Sequence, residues 1–126
     1  MIGVCAVQAR SAQTSLLWYN HPAKDWEKEA LPIGNGRLGA MLFGSAPRER
    51  IQFNEGTLWV GDETDTGAYQ AFGEVFVALS HDAVTAYRRE LDLERAVHTV
   101  TYESGGVRFR REAFASSMGT DLTASC

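Results

Sequence analysis

The stretch Asn54-Glu55-Gly56-Thr57-Leu58-Trp59 brings an amide, a carboxylate, a hydroxyl and an indole together within two turns' length of chain. Side chains of these types bind polyols, through directed hydrogen bonds and stacking on a flat apolar ring. The same residues also make a turn, in which Gly56 supplies an unusual backbone and Asn54 or Thr57 caps local amides. On residue types alone the turn is the simpler reading. Other chemistry-bearing groups resolve more easily. Asp62-Glu63-Thr64-Asp65 is acidic, but a calcium loop counted from Asp62 would need its closing carboxylate at Gly73, so a solvated turn is expected. His21, His81 and His98 are too widely spaced to form a zinc pair, and no cysteine lies near them. No G-x-S-x-G elbow occurs. The acidic residues show no privileged pair of the kind that acid–base chemistry across a bond requires.

Gly34-Asn35-Gly36-Arg37-Leu38-Gly39 has the spacing of a dinucleotide fingerprint. That reading demands a central strand before it and a helix after it. Leu31-Pro32 precedes it and a short, Gly-bounded run to Gly44 follows, so a tight loop feeding a strand is expected instead. Trp18, Trp26 and Trp59 either fill a core or offer stacking faces, and composition favours the core.

The elements that would position these groups read as strands. Leu16 to Asn20, bounded by Pro22, suits an edge strand. Asp25 to Ala30 fits one helical turn capped by Asp25. Leu38 to Phe43 reads as a buried strand, with Gly39 marking a close backbone approach. Arg48 to Asn54 alternates, with Ile51 and Phe53 on one side and Arg50 and Gln52 on the other. Tyr69 to Leu79 gives another strand with a bulge expected at Gly73. Tyr87 to Leu93 places Tyr87, Arg89, Leu91 and Leu93 on one face. Val97 to Glu103 and Val107 to Phe114 form a hairpin about Gly105-Gly106, with Val100 and Tyr102 meeting Val107 and Phe109. The basic run Arg108, Arg110, Arg111 beside Glu103 and Glu112 reads as a solvated strand face. Closely spaced strands without alternating helices imply an all-β fold, an antiparallel β-sandwich.

The chain has 126 residues, room for one domain. Twelve basic against sixteen acidic residues give a net charge of −4, opposite to the basic surplus of a nucleic-acid binder. No apolar stretch approaches a membrane span. Residues 1–14 read as a leader or signal-peptide remnant with no intact signal peptide, which leaves localisation undetermined. Cys5 and Cys126 lie at the extreme ends, where a disulfide is not expected.

Several blocks carry a resemblance to a known family. They are Leu17-Trp18-Tyr19-Asn20-His21-Pro22-Ala23 with Asp25-Trp26, then Ala30 through Met41, Arg50 through Trp59, Tyr87 through Leu93, and Arg111 through Ser116. In order and spacing these resemble the N-terminal domain of glycoside hydrolase family 95, the α-L-fucosidases; Gly56 departs from the family's Asp. The resemblance implies an incomplete sandwich over residues 15–117, part of a larger supersandwich-like domain, followed by an aberrant tail over 118–126. It implies a parent, periplasmic or secreted, in which an (α/α)6 barrel absent from this chain cleaves terminal fucosides with inversion and without a metal or other cofactor. The chain alone would then be noncatalytic, and its partners would be that barrel and an oligosaccharide. Asn35, Arg37, Asn54, Glu55, Thr57 and Trp59 are the residues expected at the substrate or at the domain interface. A carbohydrate-binding sandwich that works alone is the competing expectation, and it requires the tryptophans to face solvent on one surface.

Overall fold

The computed structural model describes residues 15–64, 67–69, 72–81, 83–116 and 122–125. The expected leader, both cysteines, Asp65 and the first part of the expected tail lie outside these residues. Among the described residues all regular elements are strands: β1 Leu16–Tyr19, β2 Leu31–Gly34, β3 Leu38–Leu42, β4 Arg48–Glu55, β5 Trp59–Val60, β6 Ala68–Tyr69, β7 Gly73–Ala78, β8 Thr85–Asp92, β9 Val97–Ser104, β10 Val107–Ala115 and β11 Leu122–Ser125. Two antiparallel sheets make a β-sandwich, one ordered β1-β8-β9-β10-β11 and the other β2-β3-β4-β7; β5 and β6 pair separately. The sheets meet where β2 lies against β9 and β10.

Alternation explains what each strand buries. Leu31 and Ile33 of β2, Ala40 and Leu42 of β3, Leu91 of β8 and Ala113 of β10 form one core cluster, with Tyr19, Ile51 and Phe53 packed against it. Val100, Tyr102 and Ala46 form a second, against Val84, Tyr87 and Phe109. The glycine hairpin is as expected: Gly105 and Gly106 take φ of +58° and +77°. Tyr102 stands opposite Phe109 with their rings stacked at 5.4 Å. Val100 faces Arg111, where Val107 had been expected to contribute, because the register pairs Val107 with Ser104.

Arg111 is the main correction to the solvated-face reading. Arg108 and Arg110 point outward and pair with Glu103 and Glu112. Arg111 is one residue out of phase, points into the sandwich and is 8% exposed. There its Nη2 donates to Glu49 Oε2 of β4 and, at 3.2 Å, to the Ser45 carbonyl. Glu49 Oε1 accepts from the amides of Phe43 and Gly44 at 3.1 and 2.8 Å. Beside this pair, Arg89 is fully buried: it donates to the His21 carbonyl at 2.8 Å and the Glu29 carbonyl at 2.7 Å, and it lies over the Tyr19 ring.

Two glycine expectations move. Gly39 has open space where a Cβ would stand, so it is not a point of close approach. The tight positions are Gly34, whose Cβ would come 3.1 Å from the Leu38 carbonyl, and above all Gly44. Gly44 has φ +76°, and a Cβ there would lie 2.7 Å from Arg89 Cδ and 2.8 Å from Tyr87 Oη. Gly73 is in regular register with Phe53 and makes no bulge. The irregularity falls in β8, between Thr85 and Arg88, where Ala86 has φ +50°. Leu93 lies beyond β8 in a turn and is half exposed. The turn at Asp25 forms as expected, with Asp25 Oδ1 accepting from the amides of Glu27 and Lys28 at 2.9 and 3.1 Å.

Two measurements test this packing. Gly44→Ala should cost about 2–5 kcal/mol, the sum of left-handed backbone strain and overpacking against immobile neighbours. Chemical denaturation reads it, and a loss under about 1 kcal/mol would mean that the neighbours yield. His98 is buried between Arg89 and Arg111, and burial first, then the two cations, depresses its pKa from 6.5 to about 3. The unfolded chain therefore takes up a proton that the folded chain refuses, and stability falls as pH drops below 6.5. Glu49 acts oppositely, because burial raises its pKa and the folded chain takes its proton first. Between pH 6.5 and 5 the His98 contribution amounts to about 1.5–2 kcal/mol. His98→Gln should lose less stability than the parent over that interval; equal losses would overturn the assignment.

Candidate functional site

Two turns meet at one end of the four-stranded sheet, and they contain the residues singled out from the sequence. The first joins β2 to β3. Asn35 opens it: Oδ1 accepts the amides of Arg37 and Leu38 at 3.0 and 2.8 Å, which closes a side-chain-mimicked turn. Gly36 then takes φ +88°. Asn35 Nδ2 donates to the Ser116 carbonyl at 2.7 Å, tying this turn to the chain just after β10 in the other sheet. The expected tight loop feeding a strand is therefore a β-hairpin turn, and no helix follows it.

The second turn follows β4. Glu55 ends that strand opposite Leu38, with Asn54 opposite Gly39. The Gly56 amide donates to the Arg37 carbonyl at 2.7 Å, so the two turns touch backbone to backbone. A side chain at Gly56 would come within 3.3 Å of that carbonyl. Arg37 Nε donates to Glu55 Oε1 at 3.0 Å. Glu55 Oε2 accepts the Thr57 amide at 3.0 Å and also the Thr57 hydroxyl. Asn54 Oδ1 accepts the Glu55 amide at 2.7 Å.

These contacts determine the chemistry open to Glu55. The Thr57 hydroxyl, then the Thr57 amide, then Arg37 hold its carboxyl below the usual carboxylate range. No second acid contributes to that shift. Glu55 is an anion whose lone pairs are engaged, suited to fastening two turns rather than to delivering a proton. A shallow hollow of about 330 Å³ lies between the turns, bordered by Gly36, Arg37, Asn54 and Gly56. Trp59 begins β5 and pairs with Tyr69 of β6. Asn35, Arg37, Asn54, Glu55 and Thr57 thus come together, with Trp59 next along the chain.

A larger groove of about 550 Å³ lies on the outer face of the same sheet, against Trp26, Met41, Gln52 and Asn54. Trp18 and Trp26 are both more than half exposed and are not core fillers. Trp26 borders this groove, whereas Trp18 is on the outer face of the other sheet, where Arg88 lies 4.8 Å over its ring. The two indoles therefore leave the sandwich on opposite sides. Composition carried no sign of this, because tryptophan fills cores and surfaces alike. Asp62 closes a local turn, its Oδ1 accepting the Thr64 amide and hydroxyl at 2.8 and 2.6 Å. Among the described residues no group of three or more His, Cys, Asp or Glu is arranged to hold a metal ion.

Asn35→Ala removes the one acceptor of two turn-closing hydrogen bonds and the tie to Ser116. It should lower stability by roughly 1–2 kcal/mol and speed hydrogen exchange at the Leu38 amide. Unchanged exchange at Leu38 would show that Asn35 does not hold the turn.

A family model described as glycosyl hydrolase family 65, N-terminal domain, matches residues 17–69 and 63–125. The chain is 34% identical to "Alpha-L-fucosidase 2" of Arabidopsis thaliana over 141 aligned positions, covering 80% of this chain and 17% of that protein. It is 26% identical to "Probable alpha-fucosidase A" of Aspergillus niger, over 90% of this chain and 20% of the relative. It is 24% identical to "Probable alpha-fucosidase A" of Aspergillus oryzae, over 83% of this chain and 20% of the relative. The chain spans a fifth or less of the length of these relatives. The first alignment has more positions than the covered share of this chain supplies, so the relative carries a segment without a counterpart here. The two matched stretches overlap at residues 63–69, whose last two residues are β6.

Proposed function

The chain belongs to the family described as glycosyl hydrolase family 65, N-terminal domain, and on that premise we propose that it is a noncatalytic β-sandwich domain of an α-L-fucosidase-like hydrolase acting on terminal fucosides. The relatives' names support the fucoside specificity. In this reading an (α/α)6 barrel outside the chain carries the catalytic groups, and the two joined turns face it. Asn35, Arg37, Asn54, Glu55, Thr57 and Trp59 then form the contact with the barrel or with the edge of its substrate.

The observation that carries the noncatalytic assignment is the state of Glu55. Glu55, the carboxyl at the joined turns, is ionised and held by Arg37 and Thr57, and no other acid among the described residues contributes to its shift. Glycoside hydrolysis by paired acids needs one carboxyl that keeps its proton and a second facing it across the bond. The joined turns instead present a partly rigid, polar surface. Arg37 is exposed there, with 66% of its side chain open to solvent.

The competing picture of a shared tryptophan platform finds no support in the geometry, since Trp18 and Trp26 leave opposite faces of the sandwich.

Incubating the purified chain with a chromogenic α-L-fucoside tests the proposal. The expected rate equals that of buffer. Turnover that disappears in Glu55→Gln would overturn the noncatalytic assignment and make Glu55 a catalytic group.

A further inference from the structure

The groove on the outer face of β2, β3 and β4 has features that the joined turns do not share. Its floor is opened by Gly39, above which a Cβ would meet nothing within 4 Å. Pro32 and Met41 make it apolar, and Trp26 stands at its side, the residue 57% exposed. Gln52 and Asn54 project from β4 on the same face, two residues apart and thus about 6.5 Å apart along the strand. Among the described residues no charged side chain lines it.

Each polar group is already held by a neighbour. Gln52 Nε2 donates to Glu74 Oε1 at 2.6 Å, and Glu74 is clamped in turn by Arg50 at 2.5 Å. That leaves the Gln52 carbonyl without a hydrogen bond among the described residues. Asn54 spends its Oδ1 on the Glu55 amide, which leaves its Nδ2 without a partner among the described residues. Trp26 is held as firmly. Its turn is capped by Asp25, closed by the Lys24 amide on Glu29 Oε2 at 2.7 Å, and anchored by the buried Arg89 on the Glu29 carbonyl. A flat exposed indole, one acceptor and one donor at fixed spacing, and a neutral apolar floor match a sugar ring, which has an apolar C–H face and hydroxyls at its edge. The volume is within the range of small-ligand sites. An uncharged lining gives no recognition of phosphates or acidic sugars.

We propose that this groove is a binding subsite for a neutral saccharide, with Trp26 as the stacking face and Gln52 and Asn54 as the hydroxyl partners. It rests on the hydrolase-domain reading only for the source of the sugar; the recognition chemistry belongs to the groove itself.

Titration of the full chain with methyl α-L-fucoside and, separately, methyl β-D-galactoside tests it, followed by NMR of the Trp26 indole N–H and of the Gln52 and Asn54 side-chain amides. Saturable shifts at all three, with a Kd on the order of millimolar, are expected. Trp26→Ala should weaken binding about tenfold or more, and Trp18→Ala should leave it unchanged. Gly39→Val adds its side chain into open space on a strand position, so it should fold with an unaltered melting temperature and yet bind neither glycoside. Absence of saturable shifts up to ~100 mM would overturn the subsite, as would Gly39→Val or Trp26→Ala binding like the parent. If both glycosides bind equally through Trp26, the subsite stands and the fucoside assignment of the preceding section loses its support.

Discussion

Three charged side chains and a neutral histidine are buried where the two sheets face each other, and much of the surrounding geometry follows from pairing them. Glu49, Arg89 and Arg111 are almost fully withdrawn from solvent, and His98 lies among them. Taking an ion out of water costs several kcal/mol, and only close partners offset it. Glu49 meets that demand by accepting from Arg111 of the other sheet and from two amides of the β3–β4 connection. The pair therefore joins β4 to β10 at one point, and sliding either sheet by a residue would leave a bare charge in the interior. Burial first, and then the two buried cations beside it, keep His98 neutral. Arg89 Nη2, Arg111 Nη1 and His98 Nε2 have no hydrogen-bond partner among the described residues, so the pairing of this buried group is incomplete.

The same network reaches the surface features on which function rests. Arg89 grips the carbonyls at both ends of the loop between β1 and β2, and that loop carries Trp26 to the rim of the outer groove. Tyr87 donates to the Gly44 carbonyl at 2.5 Å, and Gly44 in turn leaves the space Arg89 occupies. Asn35 extends the arrangement to the far end of the sheet, where its bond to Ser116 fastens the joined turns to the second sheet. A sandwich of this size has few apolar residues to spend on holding loops. Buried polar side chains do that work here, each with a specific acceptor.

Beyond this well-connected region the sandwich is less covered. Val75 and Val77 point to the same side of their sheet as Ile51 and Glu49, yet both are more than a third exposed. Phe72 packs at 5.2 Å on Phe53 and is still 60% exposed. The core is concentrated near β2, β3, β8, β9 and β10, which is also where the polar network lies.

Much was legible from residue order. Alternation in 48–54 and 87–93 located strands and assigned faces, Leu93 excepted because β8 ends before it, since strand geometry sends neighbours to opposite sides whatever lies beyond them. Gly105-Gly106 located a hairpin, because few other residues take the required φ. The blocks around Ala30–Met41 and Arg50–Trp59 indicated the hydrolase family. Neither alternation nor composition shows which face another sheet will cover. That is why Trp26 was read as core and close approach was assigned to Gly39 instead of Gly44; Arg111 follows Arg110 directly in β10, so alternation alone already sends the two to opposite faces. The meeting of Arg37 with Glu55, and of Trp26 with Gln52 and Asn54, depends on register between strands and on the path of a loop held by Arg89. Those are contacts between residues distant in the chain, selected by the cost of leaving buried charges unpaired, and only the tertiary structure decides them.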